Sequence, residues 1–258
     1  MINWNFDPVL FSLGSLEIRY YGLFYVIGFI ILFLYLNNAR KKQMLELSKD
    51  QIYDLIFYLI IGVILGSRIF EILFWNFSYY FSNPLKIFAV WEGGMSFHGG
   101  LIGAALSGYL FCRKNKFSLA KLADLIIIPA TLALSLGRIG NLLNSEIYGR
   151  VTDVSWCFNF QDVIGCRHPY QIYMALMHFL SFIILLNLNK KENKEGYIFW
   201  VGVLFFGIGR FVLDFFREDM LYYGLSLGQY FSIPLILISC YMLLRNYKEK
   251  TRNKRFKY

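Results

Sequence analysis

The chain has 258 residues, 57% of them hydrophobic and 19% aromatic, where a soluble domain runs at roughly 45–50% apolar. That composition excludes an ordinary soluble globular protein and indicates an integral membrane protein. The net charge of +9 suits lysines and arginines flanking spans beside anionic lipid as well as it suits nucleic acid, so their distribution decides between the two.

Residues 1–19 contain Asp7 and Glu17 and no basic n-region, so the first apolar run reads as a retained span, not a cleaved signal peptide. Seven segments are apolar enough to span or nearly span: 20–36, 52–74, 97–112, 122–136, 171–188, 196–216 and 225–244. A span takes about 20 residues; the third and fourth are short, and their ends are expected to be irregular or extended by the flanking motifs. Segments 37–51, 113–121, 189–195 and 245–258 together hold 18 Lys and Arg, and the opposite set, 1–19, 76–96, 138–169 and 217–225, holds 6. The bias predicts a cytoplasmic C-terminus and an outward N-terminus. The tail 245–258 then reads as a basic anchor at the lipid surface, with no nucleic acid as partner.

No long linker, low-complexity tract or repeat is visible, so 1–258 reads as a single polytopic membrane domain. The fold class is all-α, with about seven transmembrane helices and a small outer head loop. The outer insertion, about 149–169, is large enough for that head, and Trp156, Phe158 and Phe160 alternate in it as in a strand. Residues 1–19 are expected to pack beside it as a cap. Cys157 and Cys166 share this loop; a disulfide suits an oxidising compartment, while two unpaired thiols is the favoured reading. His98, His168 and His178 show no Cys/His ligand spacing, so no metal is expected.

Chemistry concentrates at a few places along the chain. Tyr21 closes the outer end of the first span, where a tyrosine ordinarily serves as an aromatic-belt anchor. Arg68 and Glu71 in the second span read as a structural pair. Before the third span, Trp91-Glu92-Gly93-Gly94-Met95-Ser96-Phe97-His98-Gly99-Gly100 brackets a histidine with glycines at a helix start, where bare backbone N–H groups favour an anion. In the alternative reading the glycines only allow close helix packing and His98 hydrogen-bonds a carbonyl.

The most informative stretch is residues 137–150, Gly-Arg-Ile-Gly-Asn-Leu-Leu-Asn-Ser-Glu-Ile-Tyr-Gly-Arg. It sets Arg138, Asn141, Asn144, Glu146 and Gly149 at the end of an apolar run, and ionisable residues in such places mark function. His168-Pro169 reads as a helix start, and His178 as a hydrogen-bonded core histidine. In the sixth span Arg210, Asp214 and Arg217 fall near one helical face. Together these residues predict an outward-side pocket reachable from lipid. Guanidinium is the preferred bidentate partner of a phosphate, and at that depth the natural anion is a phospholipid head group.

These motifs resemble those of the bacterial phosphatidylglycerol–prolipoprotein diacylglyceryl transferases. The stretch 137–149 is similar to the family signature. Further similarity runs along most of the chain: Phe6-Asp7-Pro8, Tyr21-Gly22, 66–68, 91–103, Arg167-His168-Pro169, 210–217 and Gly228-Gln229 with Ser232 and Pro234.

The resemblance implies a transferase of lipoprotein biosynthesis in the bacterial cytoplasmic (inner) membrane, with its active site toward the outer leaflet. The diacylglyceryl group of phosphatidylglycerol would move to the lipobox cysteine thiol of a prolipoprotein, forming a thioether and releasing glycerol 1-phosphate, with no cofactor. It implies that Arg138 binds the head group and that Tyr21, His98, Asn141, Glu146, Gly149 and Arg210 are essential or important. Within that implication, Arg138 and Arg210 bind phosphate with Arg217 as a third candidate, Asp214 orients Arg210, and Asn141 and Asn144 donate to phosphate or glycerol oxygens. Glu146 orients an arginine or the incoming cysteine, and His98 either accepts the thiol proton or positions the head group.

Three positions depart from the family pattern. Asp214 stands where many members have glutamate, Phe206 where some have tyrosine, and the loop 150–167 is shorter than in some relatives. Two other classes remain in play on residues alone: a transporter of anionic solute or lipid, and a non-catalytic phosphatidylglycerol-binding scaffold.

Overall fold

Hydrocarbon offers no partners for backbone polar groups, so apolar runs of membrane length close their hydrogen bonds within helices. The computed structural model describes residues 1–13, 16–161 and 163–255. In chain order come β1 (Ile2–Trp4), β2 (Val9–Leu13), β3 (Leu16–Arg19), α1 (Tyr20–Lys41) and α2 (Lys49–Phe70), which runs on through a π-helical turn, Glu71–Trp75. α3 (Phe77–Ser82) and two 3-10 turns lead to α4 (Phe97–Asn115) and α5 (Leu119–Leu143). Then follow β4 (Phe158–Phe160), α6 (Tyr170–Leu188), α7 (Tyr197–Leu213), a 3-10 turn Asp214–Phe216, β5 (Leu221–Tyr222), β6 (Leu225–Ser226) and α8 (Leu227–Arg255). Of the predicted basic tail, residues 256–258 and the side chains beyond Arg245 lie outside the described residues.

Among the described residues, six helices are long and apolar enough to cross a membrane: α1, α2 with its π turn, α5, α6, α7 continued to Phe216, and α8 to Arg245. The third predicted segment is also helical, as the 19-residue α4. Its glycines, His98 and basic end hold its hydropathy below that of the other six. The fourth is longer than expected, because the motif from Gly137 to Leu143 continues α5 to 25 residues. Side chains such as Val26, Leu34, Phe57, Leu65, Leu180 and Leu237 are exposed along these helices, as lipid-facing surfaces require.

The chain divides into two compact units, Phe33–Leu122 and Met1–Leu32 with Ala123–Tyr258. In the first, α2 and α4 meet along glycine. A Cβ on Gly62, Gly66, Gly99 or Gly103 would run into backbone of the facing helix, the small-residue contact by which membrane helices approach closely. α2 starts with a capping box, Ser48 Oγ accepting from Gln51 N at 3.1 Å while Gln51 Oε1 accepts from Ser48 N at 2.8 Å.

Arg68 does not pair as predicted. Its guanidinium donates to the carbonyls of Lys86, Ile87, Ala89, Gly93 and Gly94 at 2.5–3.0 Å and lies 4.8 Å from the Tyr80 ring. Glu71 instead accepts from Asn76 Nδ2 at 2.7 Å. Arg68 thereby fastens the loop that leads into α4.

In the second unit, the buried Asp124 on α5 accepts from Gly196 N at 2.6 Å and Phe199 N at 2.7 Å, capping α7 from a neighbouring helix. β1 pairs in parallel with β4, Ile2 opposite Phe158 and Trp4 opposite Phe160, so the first residues do lie against the loop. Leu142, Phe158 and Phe160 form a small core with Trp4, Tyr148, Val163 and Ile172 packed on it, and Trp4 Nε1 donates to Leu142 O at 3.0 Å. Bridges from Arg167 to Val151 and Phe158 bring Cys157 and Cys166 to a Cα separation of 5.5 Å. They are disulfide-bonded, which overturns the reading of two unpaired thiols.

Candidate functional site

In the unit containing α5–α8, Arg138 occupies the last turns of α5. Its Nη1 donates to Asn141 Oδ1 at 3.4 Å, and Asn141 Nδ2 donates in turn to Glu146 Oε1 at 2.9 Å. Asn144 Nδ2 reaches the same oxygen at 3.3 Å. Each amide thus gives one of its two N–H donors to Glu146. Both asparagines, expected as direct substrate donors, bind Glu146, and Asn141 alone joins it to Arg138.

The backbone around Glu146 is bent to this purpose. Ser145 and Ile147 flank it at φ 53° and 56°, and a β-branched residue in the left-handed region is an outlier. Such strain persists only where surrounding contacts over-determine it, and it clusters at functional sites. Part of that support is Gln171, fully buried, whose Nε2 donates to Glu146 O at 2.8 Å.

Gly149 is the crossing point of three segments. Its N donates to His168 O at 3.0 Å and it bridges Arg217, while Arg150 N donates to Phe216 O at 2.9 Å. A Cβ at 149 would strike the carbonyl oxygens of His168 and Phe216, so only glycine fits. Arg217 reaches the site through this bridge and not by helical spacing. α7 stops at Leu213 and Arg217 is extended, φ −83° and ψ 141°, so the predicted common helical face ends before it. Its Nη1 also lies 3.2 Å from Asp219 Oδ2.

Arg210 pairs with Asp214 as predicted, Nε to Oδ2 at 3.6 Å. Asp214 is fully buried and accepts two further bonds, from Tyr170 OH at 2.5 Å and Ser226 Oγ at 3.2 Å. Ser226 also caps α8 reciprocally with Gln229, at 3.1 and 2.9 Å. Gly228 must be glycine, since a Cβ there would meet Asp214 Oδ2 and, at 2.9 Å, Arg210 Nε and Nη2.

Arg138 lies within electrostatic range of Arg210 and of Arg217, with Tyr21 and Tyr170 also near it. Tyr21 also feels Glu146; its hydroxyl lies 3.0 Å from that of Tyr25, and its ring packs over Gly140. The unit therefore gathers Tyr21, Arg138, Asn141, Asn144, Glu146, Gly149, Arg210, Asp214 and Arg217. Guanidinium groups are the preferred bidentate partners of a phosphate, and three of them stand here with two carboxylates.

His98 belongs to the other unit, exposed at the start of α4, its ring 6.4 Å from Phe70 and 6.0 Å from Phe97. His168 sits above α6 with Nδ1 3.2 Å from Tyr173 OH, and burial pushes its pKa down. His178, read as hydrogen-bonded, is buried with Nε2 unpartnered and its ring stacked 5.8 Å from Phe206. Tyr170 and Ser226 were not foreseen as part of the site. Ser226-Leu227-Gly228-Gln229 carries a capping-box spacing that marks the helix start, whereas nothing in the sequence distinguishes Tyr170 from an ordinary aromatic at a span end.

The chain is matched over residues 8–245 by the family described as prolipoprotein diacylglyceryl transferase. It is 46% identical over 245 residues to a Geobacter sulfurreducens protein named phosphatidylglycerol–prolipoprotein diacylglyceryl transferase, covering 92% of this chain and 94% of that one. Proteins of the same name from Vibrio cholerae and Rickettsia rickettsii are 38% and 37% identical, over 95% and 94% of this chain and 93% and 97% of theirs.

Proposed function

The chain belongs to the prolipoprotein diacylglyceryl transferase family, and from that premise we propose how its residues divide the work. It is a membrane transferase that moves the diacylglyceryl group of phosphatidylglycerol to prolipoproteins, and neither transport nor inert lipid binding is favoured. The observation that carries the assignment of residues is that Arg138, tied through Asn141 to Glu146, lies within electrostatic range of Arg217 and of Arg210 with its partner Asp214.

The acceptor is the thiol of the lipobox cysteine. Its sulfur attacks the glyceryl carbon that bears the phosphate ester; the C–S bond forms, the C–O bond breaks, and the electron pair leaves on the phosphate oxygen. The departing glycerol 1-phosphate gains a negative charge as it separates, and fixed cations aimed at developing charge lower a barrier more than cations that bind the ground state equally well. Arg138 and Arg210 are the phosphate ligands and Arg217 the third cation. Glu146, through Asn141, aims Arg138, and Asp214 aims Arg210. The second N–H of each asparagine amide remains for a phosphate or glycerol oxygen.

His98 is the proposed acceptor of the thiol proton, imidazole being the side chain that most often serves as general base. Tyr21 is assigned to the lipid end of the site, beside Arg138. The protein sits in the bacterial inner membrane as one polytopic domain of seven spans, α4 included, with the boundaries between its two units falling inside α1 and α5. An outer-leaflet active site is supported by the 18 to 6 charge bias and by the Cys157–Cys166 disulfide, which belongs in an oxidising compartment.

The test is glycerol-phosphate release by purified protein in phosphatidylglycerol micelles with a lipobox peptide and its Cys→Ser control. Cysteine-dependent release that is lost in Arg138→Ala supports both activity and site. Release indifferent to Arg138→Ala discards the site, and release indifferent to the cysteine discards the acceptor.

A further inference from the structure

A buried carboxylate is costly unless it is paired and hydrogen-bonded, and Asp214, fully buried, has one ion pair and two hydrogen bonds. Tyr170 OH takes Oδ1 at 2.5 Å, while Ser226 Oγ at 3.2 Å and Arg210 Nε at 3.6 Å share Oδ2. The hydroxyl bonds come from two separate elements, the first turn of α6 and the cap of α8. The arginine is the longest of the three contacts and its side chain is the only one with exposure, at 24%. Tyr170 is 1% exposed and Ser226 is fully buried, so neither is placed to touch a substrate head group. Tyr170 nevertheless lies within range of both Arg138 and Arg210.

We propose that Tyr170 and Ser226 are positioning residues for the transfer reaction: by clamping Asp214 from α6 and α8 they fix the direction in which Arg210 presents its guanidinium to the phosphate. A carboxylate held by Arg210 alone would rotate with it. Held by two hydroxyls, it becomes a fixed anchor against which the guanidinium has one orientation. Asp214 engages Arg210 through Nε, so the guanidinium's terminal nitrogens remain for an anion, and Gly228 keeps the space beside them clear. The inference rests on the phosphate role of Arg210 proposed above.

The experiment uses full-length protein in phosphatidylglycerol micelles with the lipobox peptide and compares wild type, Tyr170→Phe, Ser226→Ala, Arg210→Lys and the two double variants with Arg210→Lys. Tyr170→Phe keeps the buried ring and removes only the hydroxyl. If that variant does not fold, Ser226→Ala tests the same clamp from the other side. The expected result is a loss of about tenfold or more in kcat for each single hydroxyl variant, a much smaller change in KM for phosphatidylglycerol, and almost no further loss when either is combined with Arg210→Lys. Residues acting through one group are non-additive in this way. A purely structural role would lower Tm and multiply with Arg210→Lys, and additive losses overturn the proposal. So does full kcat in both hydroxyl variants beside an impaired Arg210→Lys, which leaves the phosphate role of Arg210 standing. Wild-type turnover in Arg210→Lys removes that role itself, and the clamp falls with it.

Discussion

Arg68 and Glu71 separate two accounts of the second span. If they formed the pair their spacing suggests, neutralising either would cost a similar amount. In the structure Arg68 makes five hydrogen bonds to loop carbonyls, and Glu71 meets an exposed amide. Arg68→Lys keeps the charge but carries three donors in place of five, so at least two carbonyls lose their partner. With hydrogen bonds to charged groups worth about 1.5–3 kcal/mol each, and water recovering part of the loss, the expected destabilisation is about 3 kcal/mol. For a chain of this size that lowers Tm by roughly 6–12 °C. Glu71→Gln, whose carbonyl still accepts from Asn76, should stay within about 0.5 kcal/mol. The assay is thermal unfolding in detergent together with limited proteolysis across residues 84–94, which should open in Arg68→Lys alone. Equal losses in the two variants, or an unchanged loop in Arg68→Lys, would refute the fastening role.

Asp124→Ala removes the acceptor that caps α7 from α5 and should cost about 1–2 kcal/mol, as lost caps do; a chemical denaturation curve superimposable on wild type would count against it. Replacing Cys157 and Cys166 together by serine opens a loop with a sequence separation of 9. The chain-entropy relation gives a loss of about 2.7 kcal/mol, to be read as a lower Tm with the head otherwise intact, and reductant should then no longer shift Tm. His98→Gln should lower turnover by about a hundredfold or more while phosphatidylglycerol binding persists, and wild-type turnover would end its assignment as base.

Most of the architecture was legible because membrane spans carry the least ambiguous sequence signal: about 20 apolar residues can satisfy their backbone only as helix. Arg138, Glu146, Arg210 and Asp214 were legible for the converse reason, as charges where charge is expensive. What failed to read depends on contacts between distant segments. The reach of Arg68 is set by how residues 84–94 fold back over α2, not by its three-residue spacing from Glu71. Arg217 follows its bridge to Gly149, which no helical periodicity encodes. Tyr170 carries no mark of its own in the sequence, because only the turn after α7 brings Asp214 to its hydroxyl, and the disulfide awaited the pairing of Phe158 with Arg167.

The parallel pairing of β1 with β4 sets a timetable. Ile2 finds its partner in Phe158, a residue synthesised only after α1, α2, α4 and α5 have been made. At about 5–20 residues per second, β1 waits roughly 8–30 s before β4 exists. The head therefore assembles late and in one stage, since Cys166 follows within a few residues of β4 and the disulfide can form as soon as the strands meet. For that interval the first strand is an unpaired edge, short enough at three residues to be a poor template for other chains.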